Sequence, residues 1–155
     1  MLIDEIKKLA DEIHSHVIEN RRHLHAHPEL SFHEYETSAF VKRCLDEMNI
    51  PWQPMANTGI VALIKGDKQS DQVIALRADM DALPICEANN IGYISANNGA
   101  MHACGHDAHT ASLLGTAYIL QSLKNKFGGT IKLIFQPGEE TLPGGASLMI
   151  KEGVL

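Results

Sequence analysis

The chain has 155 residues, 45% of them hydrophobic and 21% charged, the size and balance of one ordinary globular domain with a real core. Its formal net charge of −6 argues against nucleic acid or an anionic membrane as partner. No apolar run reaches the roughly 18 residues of a transmembrane helix, the first residues lack the basic start and apolar core of a secretory signal, and 3 cysteines make no disulfide framework, so a cytoplasmic location is expected.

Ile3, Ile6, Ala10, Ile13 and Val17 recur at steps of three and four, which predicts an amphipathic helix running to about Leu24 or His25, before Pro28. His23 and His27 share a face of it, but no Glu-x-x-His pattern accompanies them. Packing and hydrogen bonding are the expected roles of His23, His25 and His27. Ser31 and Glu34 have capping-box spacing, and Leu30 with Tyr35 that of a hydrophobic staple. A second helix is therefore expected from near Phe32 to near Met48, burying Val41, Cys44, Leu45 and Met48. Cys44 and Cys86 read as small core residues.

From Pro51 the texture becomes β-rich. Gly59–Lys65 and Gln72–Arg77 flank the polar stretch Gly66–Asp71, which predicts a hairpin. Glu87 to Asn98 has no period and reads as a loop. A helix from about Asp107 to Lys124 is apolar on most sides and is therefore a buried one. Gly128-Gly129 leads into a strand, Thr130–Gln136, and a short helix follows from Ala146 to Lys151. This order implies an α/β fold, a mixed sheet with helices on its faces.

Three clusters carry chemistry. Cys104-Gly-His106 sets a thiol and an imidazole at a helix start, an electropositive end that favours thiolate. Thiolate plus imidazole suits Zn²⁺ and its neighbours rather than Ca²⁺ or Mg²⁺. Alone, the pair reads as a buried cysteine beside surface histidines. However, Gln136-Pro-Gly-Glu-Glu140 follows one strand and Arg77-Ala-Asp-Met-Asp81 another, and ligands of open α/β sheets bind outside the carboxyl ends of strands. A hydrolytic metal site needs deprotonated ligands, an open position for water and a base. Of Glu139 and Glu140, one can bind metal while the other acts as base. Asp79 or Asp81 can orient a ligand imidazole, and Arg77 can pair with either.

The chain resembles the amidohydrolase branch of the aminoacylase/carboxypeptidase metallopeptidases, which includes hippurate hydrolases, auxin-conjugate hydrolases and N-acyl-amino-acid deacylases. The matching segments are Arg21-Arg-His-Leu-His-Ala-His-Pro-Glu29, Leu76-Arg-Ala-Asp-Met-Asp-Ala-Leu-Pro84, Met101-His-Ala-Cys-Gly-His-Asp-Ala-His-Thr110 and Phe135-Gln-Pro-Gly-Glu-Glu140. The resemblance implies a zinc-peptidase-like catalytic domain. It makes Cys104, His106 and Glu140 metal ligands and Glu139 the general base. Asp81 matches the supporting acid, and Asp79 stands where related branches carry a ligand histidine. The implied cofactor is a divalent transition metal, two ions per complete site, Mn²⁺ or Zn²⁺ with Ni²⁺ or Co²⁺ also compatible. The implied substrate is a small N-acyl amino acid, cleaved at its amide by activated water.

Relatives of this branch are roughly twice this length or more. They carry two further histidine ligands and a smaller inserted domain through which they dimerise. The expectation for residues 1–155 is thus the N-terminal part of the catalytic domain, truncated before that insertion and inactive by itself. Two other functions compete: a non-catalytic metal-binding remnant, and a thiol hydrolase using Cys104 as nucleophile.

Overall fold

The computed structural model describes Met1–Leu155. Its elements, in order, are helices α1 (Leu2–Ala26) and α2 (Tyr35–Glu47), strands β1 (Trp52–Met55), β2 (Gly59–Lys65) and β3 (Lys68–Asp79), helix α3 (His106–Ser122), strand β4 (Gly128–Gln136) and helix α4 (Gly145–Lys151). The architecture is the expected α/β one, a mixed four-stranded sheet with flanking helices, in the order β1-β2-β4-β3.

The sheet order corrects the expected hairpin. β2 does not pair with β3; β4 lies between them, antiparallel to β2 and parallel to β3. Burial explains the choice. β4 buries Leu133 and Phe135 on one face and Ile134 on the other, so it needs a central position. The first half of β3 is polar and exposed, which suits an edge. The actual hairpin joins β1 to β2, with Met55 opposite Gly59, through Ala56 and Asn57 at φ +49° and +70°. Pro54 masks β1 in the sequence, and its place on an edge strand is where a strand tolerates proline.

One face of the sheet is covered by α2 and α3. Val41 and Leu45 of α2, and Leu113, Leu114 and Ala117 of α3, enclose Ile60, Ala62, Ile64, Ala78, Leu133 and Phe135. Full burial of such a side chain contributes about 1.5–3 kcal/mol. On the other face Met149 of α4 packs with Met55, Val61 and Ile134. The first helix lies outside α3. A Cβ at Gly115 would lie 2.6 Å from Val17 Cγ2, so Gly115 sets how closely the two helices approach. Cover of the α1 stripe is partial: Val17 and Ile13 are half-buried, while Ile3 is 50% exposed. No helix is long and apolar enough to cross a membrane.

Two local expectations fail. The second helix starts at Tyr35 rather than near Phe32, because Ser31 and Glu34 do not form a capping box. Ser31 Oγ donates to Asp81 Oδ2 instead (2.6 Å), and buried Glu34 accepts from Phe32 N, Thr58 Oγ1 and Gly138 N. Glu29 takes over the cap, accepting from Glu36 N and Thr37 N. Leu30 and Tyr35 are both exposed, so the staple is not made. Cys86 is also exposed, on the irregular segment after Pro84, whereas Cys44 is half-buried against the core and burial pushes its thiol up to about 11.

Candidate metal centre

Parallel pairing of β3 with β4 sets Asp79 opposite Gln136, so both strands deliver the residues after them to one side of the sheet. The start of α3 reaches the same place. Thr110 Oγ1 donates to the Asp79 carbonyl (2.8 Å), and His106 Nδ1 bonds the Asp81 carbonyl (2.9 Å). Gly105, at φ +95°, turns the chain between Cys104 and the helix. The three sequence clusters therefore meet at the carboxyl ends of the strands.

His106 is the hub. Its Nδ1 is committed to the Asp81 carbonyl, which leaves Nε2 as the free donor atom. Nε2 faces Asp79 Oδ2 at 3.5 Å, Glu140 Oε1 at 3.8 Å and Glu139 Oε2 at 3.9 Å. Donor atoms of Cys104, His106 and Glu140 all lie within 4.8 Å of one another. Ligands at about 2.0–2.3 Å from one ion can be at most about 4.6 Å apart, so a small contraction closes this set on a cation. A thiolate, an imidazole nitrogen and a carboxylate oxygen are also the donor chemistry of a borderline transition metal.

A second group, Asp79, His106 and His109, is equally compact but differently committed. Asp79 Oδ1 bonds His109 Nδ1 (2.6 Å) and Oδ2 pairs with Arg77 Nη1 (2.9 Å). Both oxygens are thus engaged, and Asp79 acts in this structure as a buried acid that orients His109.

The electrostatics favour a positive charge at the hub. Burial pushes the His106 ring down, yet hydrogen bonds with Asp81 and Cys104 and the charge of Asp79 prevail and raise it to about 11. For Asp81, burial works against ionisation. Hydrogen bonds from His106, Ser31 and the backbone N–H groups of Glu140 and Glu139 outweigh it and hold the carboxyl well below the usual range.

The structure brings Cys104, His106, Glu140, Asp79 and Asp81 together, with Glu139 at the exposed rim. His14, His16 and His33 are on the surface, and His23 stacks on Phe40. Sequence reasoning missed Ser31 and Glu34, which brace Asp81 and the Pro137–Glu140 segment. Their i, i+3 spacing has a stronger local reading, a helix cap. It also missed His102, a buried ring with neither nitrogen partnered, whose pKa burial lowers to about 4. Beside Glu140 a groove of about 460 Å³ opens between Leu30, Ser31, Ala82, Leu83 and Pro84.

Residues 75–155 match the model of peptidase family M20/M25/M40. Across its full length the chain is similar to the N-acyl-L-amino acid amidohydrolase of Geobacillus stearothermophilus, at 49% identity over 42% of that protein. It is 51% identical to the N-acetyl-L-cysteine deacetylase of Bacillus subtilis (strain 168), over 87% of this chain and 32% of that one. A crystal structure from Bacillus subtilis, described as a dinuclear metal binding peptidase from the M20 family, superposes on 94% of this chain with a TM-score of 0.88 at 46% identity, covering 41% of its own length. The chain spans less than half the length of these relatives.

Proposed function

The chain belongs to peptidase family M20/M25/M40, and on that premise we propose that it carries the metal-binding centre of an amidohydrolase acting on N-acyl amino acids. The observation that carries the reading is the convergence of Cys104, His106 and Glu140 from three separate segments into one set of donor atoms. In this reading those three residues hold a divalent transition metal, Mn²⁺ or Zn²⁺, with Ni²⁺ or Co²⁺ chemically compatible. When bound, such an ion polarises the acyl carbonyl and lowers the pKa of water.

The remaining work falls to the chain's own side chains. Glu139 is the general base: it is the less buried carboxylate of the pair, at the solvent side of His106. It takes a proton from the attacking water and passes it to the leaving amine, so the amide C–N bond is exchanged for a C–O bond and an N–H bond. Asp81 fixes the ring of His106, and Asp79 holds His109 towards the same opening. The groove beside Glu140 offers apolar walls at Leu30, Ala82, Leu83 and Pro84 for one arm of a small substrate.

A dinuclear centre needs more donors than the one free set gathered here, so the 155-residue chain is proposed to be a partial catalytic domain with weak metal binding and little turnover. The test is metal analysis of the full-length gene product together with a panel of N-acyl amino acids. Hydrolysis that requires bound metal and releases a free amino acid supports the reading. A metal-free preparation with undiminished amide hydrolysis overturns it.

A further inference from the structure

Helix α3 begins without a side-chain cap. Its N-cap is Gly105, in a left-handed conformation, and the candidate ligand His106 is its first residue. A first turn with unsatisfied N–H groups and a glycine before it frays unless something outside the helix holds it.

The holder comes from α1. Asp107 is almost completely buried, and its Oδ2 accepts from Arg21 Nε (2.8 Å) and from His25 Nδ1 (2.8 Å). The other nitrogen of His25, Nε2, donates to Glu87 Oε1 (3.0 Å). The side chains of Asp107, His25 and Glu87 are thus linked in one buried chain, with half-buried Arg21 at its end. Glu87 also accepts from Ser95 N (2.7 Å) and Asn89 Nδ2 (2.9 Å), which ties the irregular segment after Pro84 to the same point. Burial alone would raise the Glu87 carboxyl, but the hydrogen bonds from His25, Ser95 and Asn89 lower it to about 2. None of these groups belongs to either set of converging donor atoms.

We infer that the buried chain Glu87–His25–Asp107, anchored by Arg21, is the positioning element of the metal centre. It clamps the first turn of α3 to α1 from one side while Asp81 holds the His106 ring from the other. This inference rests on the metal reading of the site.

Cobalt titration of the 155-residue chain tests it, with Co²⁺ as the probe and the thiolate-to-cobalt absorption band as the signature of Cys104 ligation. Urea unfolding of each variant establishes that it is folded at the start of the titration. His25→Ala is expected to weaken Co²⁺ binding about 10–100-fold and to diminish the band, the loss typical of removing a group that orients a metal ligand. His25→Gln, which keeps one donor towards Asp107, recovers part of the affinity. Glu87→Ala, on the irregular segment, shows a smaller loss and decides the matter if His25→Ala does not fold. A merely structural role would lower the urea midpoint and leave affinity and band unmoved. That result in a folded His25→Ala, or in Glu87→Ala where His25→Ala does not fold, overturns the inference alone. Absence of Co²⁺ binding by the unsubstituted chain overturns the metal reading and the inference with it.

Discussion

His106 Nδ1 lies 2.9 Å from the carbonyl oxygen of Asp81, so the backbone just beyond the end of one strand selects which ring nitrogen of a helix residue is free. That single contact turns Nε2 towards Glu140 and makes the pair of clusters a common site. A backbone acceptor cannot be removed by side-chain substitution, so the ring orientation is robust, and the consequences of the site are best tested on the groups around it.

The two glutamates should separate in a complete enzyme. Glu139→Gln is expected to retain metal and to lose about 10²–10⁴-fold in kcat, the worth of a general base. Glu140→Gln should lose metal affinity first, by more than the roughly 10–100-fold typical of groups that merely support a ligand. Metal content and kcat measured side by side would reverse the assignment if Glu139→Gln stripped the metal and Glu140→Gln kept it.

Chelation distinguishes the metal reading from thiol catalysis. Removal of metal should abolish amide hydrolysis, and readdition of Mn²⁺ or Zn²⁺ should restore it. Cys104→Ser should weaken metal binding while leaving turnover at saturating metal measurable. Activity that survives the chelator and vanishes in Cys104→Ser would mark Cys104 as a nucleophile.

For the 155-residue chain, metal analysis should find no more than one tightly held ion, and hydrolysis of N-acyl amino acids should fall far below that of the full-length product. The structure gathers one triad of mixed sulfur, nitrogen and oxygen donors, and the second group shares His106 and spends Asp79 on Arg77 and His109. Two equivalents bound with ordinary turnover would show that no further ligands are needed.

Stability should depend on pH through His102. Burial lowers its folded pKa to about 4 from an unfolded value of 6.5. Between those values the unfolded chain binds the proton and the folded chain does not, so stability is fully present above pH 6.5 and is lost as pH falls towards 4. Urea unfolding at pH 7 and pH 5 should differ by about 1–2 kcal/mol from this group. His102→Asn should flatten that interval. Asp81 and Glu87, both depressed, add a separate loss that begins only below their unfolded values of 3.8 and 4.5.

Gly145 links the fold to the site. A Cβ there would lie 1.7 Å from the carbonyl oxygen of Pro137, and Gly145 N donates to Gly138 O. Gly145→Ala should therefore cost about 1–3 kcal/mol or more in urea unfolding and push the segment carrying Glu139 and Glu140 out of place. A weaker metal affinity should accompany the lost stability. An unchanged unfolding midpoint would contradict the close approach.

What the sequence determined by itself was local. The periodicity from Ile3 to Val17, the stripe Val41–Cys44–Leu45–Met48 and the apolar run after Ala108 each predicted a helix, and the structure has all three. Cys104-Gly-His106 became a candidate donor pair only beside the carboxylate clusters, whose strand-then-carboxylate order pointed to one end of a sheet. Tertiary structure decided what depends on residues far apart in the chain. β4 enters between β2 and β3 because it has apolar side chains to bury on both faces, a demand that no turn signal at Gly66–Asp71 reveals. Ser31 leaves its helix cap for Asp81, fifty positions away, and Glu34 leaves for Gly138, because an ionised or polar group buried in the interior gains more from a charge-assisted partner there than from a solvent-facing cap. His25 and Asp107 meet for the same reason across 82 positions. The sequence could nominate the donors; only the sheet's connectivity and the pairing of buried charges settled how they face one another.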